Sequence, residues 1–140
     1  IDLLAHLHPK LVHFPVALFI TAWMFDCISF LLKKESVYKA AVYVYVMAAL
    51  SLIPAGLSGL WEGNRLHLHH PVFYLHRNIA FILLIQSWIS LIIYFVLRRR
   101  ISAHARLFFS LVCLLSAAVV VIVGFYGGQM VYDYGIGISS

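Results

Sequence analysis

The chain has 140 residues, of which 64% are hydrophobic and only 11% charged, with a formal net charge of +5. A soluble domain carries about 25% charged residues, so this composition cannot clothe a water-facing core, and the length suits one domain. The basic residues flank apolar stretches, where they report membrane topology and not a nucleic-acid surface.

Four apolar runs predict four helices, at about 11–32, 38–60, 71–97 and 105–126. Each is long enough for a hydrocarbon core of roughly 30 Å, which takes about 20 helical residues. Lipid offers the backbone no hydrogen-bond partners, so the spans must be helical. Short connections predict an all-α, four-helix up-down bundle forming a single domain over 1–140. The first run lacks a basic lead-in and a small-residue cleavage site, so no cleavable signal peptide is expected. Lys33, Lys34 and Lys39 cluster between helices one and two, and Arg98, Arg99, Arg100 and Arg106 between helices three and four. The positive-inside bias puts both clusters in the cytoplasm and both termini outside, on the periplasmic face of a prokaryotic inner membrane.

Within helix one, Asp26 is an intramembrane carboxylate, and a structural hydrogen bond to a neighbouring helix is favoured over a proton path. Helix two carries Pro54, then Ala55, Gly56, Ser58 and Gly59, which predicts a kink and close helix contact. Glu62 follows Trp61 at its outer end, either solvated or steering a histidine ring. The tryptophans Trp23, Trp61 and Trp88 suit interfaces and packing. Helix four is expected to end near Gly124, Gly127 and Gly128, where backbone can approach a helix or a flat ligand. Cys27 and Cys113 lie in apolar runs and read as small core residues, not as a disulfide.

The histidines are the informative feature. Of eight, seven fall at the outer end (His6, His8, His13, His67, His69, His70 and His76) and only His104 at the other. From His13 to Lys33 is 20 residues and from His76 to Arg98 is 22, about 30 and 33 Å of helix. Both imidazoles are therefore expected at one level, on different helices, where they can clamp a haem iron from both sides. His13 and His76 are the expected axial ligands. Gly127 and Gly128 make room for a porphyrin edge, and Arg77 and Lys10 sit where propionates need cations. The ordinary reading is that interfacial histidines bond a carbonyl or water. His6 with His8, and His67 with His69 and His70, are weaker candidates for copper or zinc, since no cysteine accompanies them.

Two motifs carry a resemblance. His8-Pro9-Lys10-Leu11-Val12-His13-Phe14-Pro15 opens helix one, and Gly127-Gly128-Gln129-Met130-Val131-Tyr132 follows helix four, with Gly135 and Gly137 beyond. Together they resemble a prokaryotic membrane family known as domain of unknown function 2231, over essentially the whole chain. The family resembles a four-helix membrane module with a histidine opening helix three, here His76, and small residues matching Ala55, Gly56 and Gly59. The loop of His67, His69 and His70 departs from that pattern. Relatives similar to it lie fused or adjacent to c-type cytochrome modules, which implies respiratory electron transfer. The resemblance fits the two-histidine reading, and together they point to a membrane b-type haem protein or redox-complex subunit more than to a stand-alone enzyme. It would pass electrons between the quinone pool and an outer c-type cytochrome, with His8, Gly127, Gly128 and Tyr132 supporting the pocket. The alternatives are a cofactor-free structural subunit of a larger complex, or an outer-face copper or zinc binder.

Overall fold

A computed structural model describes residues 7–100 and 102–136. They form α1 (Leu7–Leu32), α2 (Glu35–Arg65), α3 (Pro71–Arg100) and α4 (Ser102–Tyr132), with no strand among the described residues. All four helices are long and apolar enough to cross a membrane. At 31 residues, α2 and α4 each reach about 46 Å, which exceeds the hydrocarbon and enters the headgroup layers. This is why the helices outrun the apolar sequence: Glu35, Ser36 and the Glu62–Arg65 turn lie in helix although they are polar. The glycine run is likewise helical. It lies inside α4, which closes only at Gly135, at φ +63°, where the Ile136 N–H reaches the Met130 carbonyl at 2.8 Å. Pro54 also lies inside a continuous α2.

The helices alternate in direction. The starts of α1 and α3 meet the ends of α2 and α4 at a histidine end, and the reverse set meets at an arginine end. Contacts are densest between α1 and α2 and between α3 and α4, and lightest, among neighbours, between α2 and α3.

Polarity runs inside out. Large apolar side chains such as Phe14, Leu31, Leu107 and Phe125 stand exposed, while Ala22, Ala41, Ala48, Ala49, Ser87 and Ser116 are buried. In lipid no hydrophobic force separates helix from surroundings, so association rests on close packing of small residues and on interhelical hydrogen bonds. The buried positions repeat every seven residues: Pro15, Ala22 and Ser29 on α1; Tyr38, Tyr45 and Leu52 on α2; Leu83 and Ser90 on α3; Cys113 and Val120 on α4. A seven-residue period favours shallow left-handed crossings. At mid-depth Phe19, Tyr45 and Phe109 meet edge to face, with ring centres 5.2 and 5.6 Å apart, the arrangement that ring quadrupoles prefer. The Tyr45 hydroxyl lies 2.8 Å from Ser116 Oγ, and Gln86 Nε2 donates to the same oxygen at 3.2 Å.

Cys113 belongs to this core, but Cys27 is exposed. It falls one step off the α1 stripe, between Asp26 and Ser29, which corrects the expectation that both thiols are core residues.

Candidate functional site

Extending each seven-residue stripe towards the histidine end leads to four residues: His8 before Pro15, Gly59 after Leu52, His76 before Leu83 and Gly127 after Val120. The four stripes face the bundle axis, so their last members converge. The rings of His8 and His76 meet edge to face, with centres 6.3 Å apart and planes at 84°.

Each imidazole is fixed by a neighbouring helix. His8 Nδ1 lies 3.1 Å from the Ala55 carbonyl oxygen on α2 and 3.0 Å from Ser58 Oγ, and Ser58 Oγ donates to the same carbonyl at 2.8 Å. His76 Nδ1 lies 3.0 Å from the Val123 carbonyl oxygen on α4. A carbonyl only accepts, so the proton of each ring sits on Nδ1. That leaves both Nε2 lone pairs as the nitrogens able to take a proton or a metal. A backbone carbonyl holding the other ring nitrogen is the usual way a protein orients a ligating histidine.

Glycine makes room for both rings. A Cβ on Gly59 would lie 2.7 Å from His8 Cε1, and one on Gly127 would lie 3.3 Å from His76 Cε1. Gly63 gives the Phe73 ring a similar bare backbone, which locks the start of α3 against the end of α2. Phe73 and Tyr74 in turn carry the Arg77 guanidinium, 5.8 and 5.0 Å from their ring centres.

The structure brings His8, and not His13, to His76. His13 is exposed on α1; five residues from His8, it lies about 140° around the helix. Counting depth from the first lysine or arginine misplaces it, because Lys33 lies beyond the end of α1 while Arg98 is still inside α3. Counted from the helix ends, His8 to Leu32 and His76 to Arg100 are both 24 residues, so these two are level. The seven-residue stripe was the signal in the sequence that selects His8.

Other candidates fall elsewhere. Gly128 is half-buried, with space for a Cβ that only Tyr132 approaches, at 4.0 Å. Tyr132 is 87% exposed. Lys10 is exposed near His8. Glu62 is buried, not solvated, one turn beyond Gly59. The loop histidines are engaged separately: His69 Nδ1 bonds the Tyr74 hydroxyl at 2.9 Å, His70 Nδ1 accepts the Val72 N–H at 3.2 Å, and His67 is exposed. His6 lies outside the described residues. Among the described residues no three His, Cys, Asp or Glu side chains come together as a metal cage. Asp26 is buried on α1 with its Oδ1 lacking a hydrogen-bond partner, 18 residues along the helix from His8 and so far from the histidine pair.

The family described as "Predicted membrane protein (DUF2231)" matches residues 5–140. The chain belongs to this family. No curated protein and no solved structure matches the chain. Membership in a family so described supports the multi-pass reading of the four helices, and leaves the chemistry to be argued from the histidine pair.

Proposed function

We propose that the protein is a membrane b-type haem protein, or the haem subunit of a respiratory redox complex. It passes electrons between the quinone pool and a c-type cytochrome at the outer face. His8 and His76 are the axial ligands. The observation that carries this reading is the 6.3 Å separation of two imidazoles from different helices, each with Nδ1 tied to a carbonyl. Two imidazoles on opposite sides of one metal, with bonds of about 2.0 Å, have ring centres about 6 Å apart. Zinc normally asks for three or four protein ligands, which the described residues do not assemble here. Arg77 and Lys10, next in sequence to His76 and two residues after His8, would be the cations for the propionates. Haem supplies a one-electron couple. His8 and His76 would hold the haem iron between them, which would favour electron transfer over oxygen chemistry.

The positive-inside bias puts the histidine end outside, in a prokaryote on the periplasmic side, where a c-type cytochrome is found.

The test is a reduced-minus-oxidised visible spectrum of the detergent-purified protein from haem-supplied cells. Sharp α and Soret bands are expected. His8→Ala and His76→Ala should each abolish them, whereas His13→Ala should leave them unchanged. A flat spectrum from well-folded wild-type protein overturns the proposal. Loss of the bands in His13→Ala with retention in His8→Ala overturns the ligand assignment.

A further inference from the structure

At the other end of the bundle, the lightly packed seam between α2 and α3 opens into a groove of about 420 Å³. Its walls are Val46 of α2 and apolar residues of α3 from Trp88 to Val96, with Arg99 at one end. The α3 residues recur three or four apart and so form one stripe on the helix. From Trp88 to Arg99 is 11 residues, or about 16 Å of helix. One leaflet of a hydrocarbon core about 30 Å thick has nearly the same depth.

The mouth of the groove is cationic. Arg99 is exposed within one residue of the end of α3. Lys39 is also exposed, near the start of α2 and hence at the same end of the bundle. It lies seven residues before Val46, on the same face of α2. Neither cation pairs with a carboxylate: the ion pair among the described residues is Arg106 with Glu35, at 3.3 Å. An apolar channel of leaflet depth that ends in two uncompensated cations at headgroup level has the form of a phospholipid with a net negative headgroup.

We propose that this groove holds one anionic phospholipid, its acyl chain against Trp88, Leu91 and Phe95 and its phosphate between Arg99 and Lys39. An isoprenoid quinone would fit the apolar wall but leave both cations unpaired. A zwitterionic lipid brings its own cation to the mouth.

The test is native mass spectrometry of the full chain, delipidated in detergent and offered equal amounts of phosphatidylglycerol, phosphatidylcholine of the same acyl chains, and menaquinone. Retention of a single phosphatidylglycerol is expected. Arg99→Ala and Lys39→Ala should each weaken that preference about fivefold, and Arg98→Ala, an exposed neighbour outside the groove, should not. Equal retention of phosphatidylcholine, retention of menaquinone instead, or an equal loss in Arg98→Ala overturns the proposal. None of these outcomes depends on haem being bound.

Discussion

The two ends of the bundle use the same four helices to opposite effect. At the arginine end the side chains around Arg106 satisfy one another, although Asp26 Oδ1 is buried without a hydrogen-bond partner. Arg106 donates to Glu35 at 3.3 Å and to Ser29 at 3.0 Å, lies over the rings of Phe30 and Tyr38, and the Tyr38 hydroxyl donates to Tyr94. At the histidine end the two central side chains are held by backbone carbonyls, and each keeps one nitrogen uncommitted to its anchor. A side-chain network closed on itself is a structural clamp. Two rings oriented by main chain, with their ligating atoms left over, are prepared for something that is not protein.

The sharpest way to break that comparison is through the glycines. In Gly59→Ala the new Cβ would lie 2.7 Å from His8 Cε1, a separation that real side chains do not tolerate, so the ring must leave its place beside Ala55. Most of the haem spectrum should disappear while the helical circular dichroism persists. Gly127→Ala brings a Cβ to 3.3 Å from His76 Cε1, which a small ring displacement relieves, and only partial loss is expected. Gly124, whose Cβ would meet nothing within 4 Å, is the control: alanine there should leave the spectrum intact and stabilise α4 by up to about 1 kcal/mol. If Gly59→Ala keeps full intensity, the bare backbone is not what seats His8.

The arginine end should respond in stability and not in colour. Arg106→Ala removes the Glu35 and Ser29 bonds together and uncovers two aromatic rings. A loss of about 1.5–3 kcal/mol is expected, in line with hydrogen bonds to a charged group, read as a lower unfolding midpoint in a detergent titration. The haem bands should remain. Bleaching by Arg106→Ala in protein that is still folded would mean that the two ends are coupled and that the division between clamp and site is wrong.

The fold was legible in the sequence because lipid imposes one solution on apolar runs of this length. The helix ends were not, since Glu35, Ser36 and the glycines of α4 look like loop until one allows helices to continue through the headgroup layer. The site was half legible. His76 and Gly127 could be placed from the pattern, and Gly59 could be marked for close contact. The choice between His8 and His13 requires knowing where α1 stops: Lys33 reads in the sequence as a marker of the membrane surface equivalent to Arg98, but the one follows its helix and the other is part of its helix. Glu62 was unreadable for a related reason. A carboxylate after Trp61 resembles the start of a loop, whereas α2 continues to Arg65 and carries it inside.

The middle of the bundle tests which end it resembles. Tyr45 is fully buried, and its hydroxyl meets Ser116 Oγ at 2.8 Å. Tyr45→Phe keeps the ring contacts with Phe19 and Phe109 and removes only the oxygen. Ser116 is not stranded, because Gln86 reaches it through both its amide nitrogen, at 3.2 Å, and its carbonyl oxygen, at 3.3 Å. The cost should therefore be small, about 0.6 kcal/mol as for interhelical hydrogen bonds in other membrane bundles, with no spectral change. Adding Gln86→Leu leaves Ser116 buried without either partner, and the combined loss should exceed the sum of the two single substitutions. Strict additivity in that double-mutant cycle would show that Ser116 finds another acceptor, and that the polar centre is a set of separate bonds and not a clamp of the kind built around Arg106.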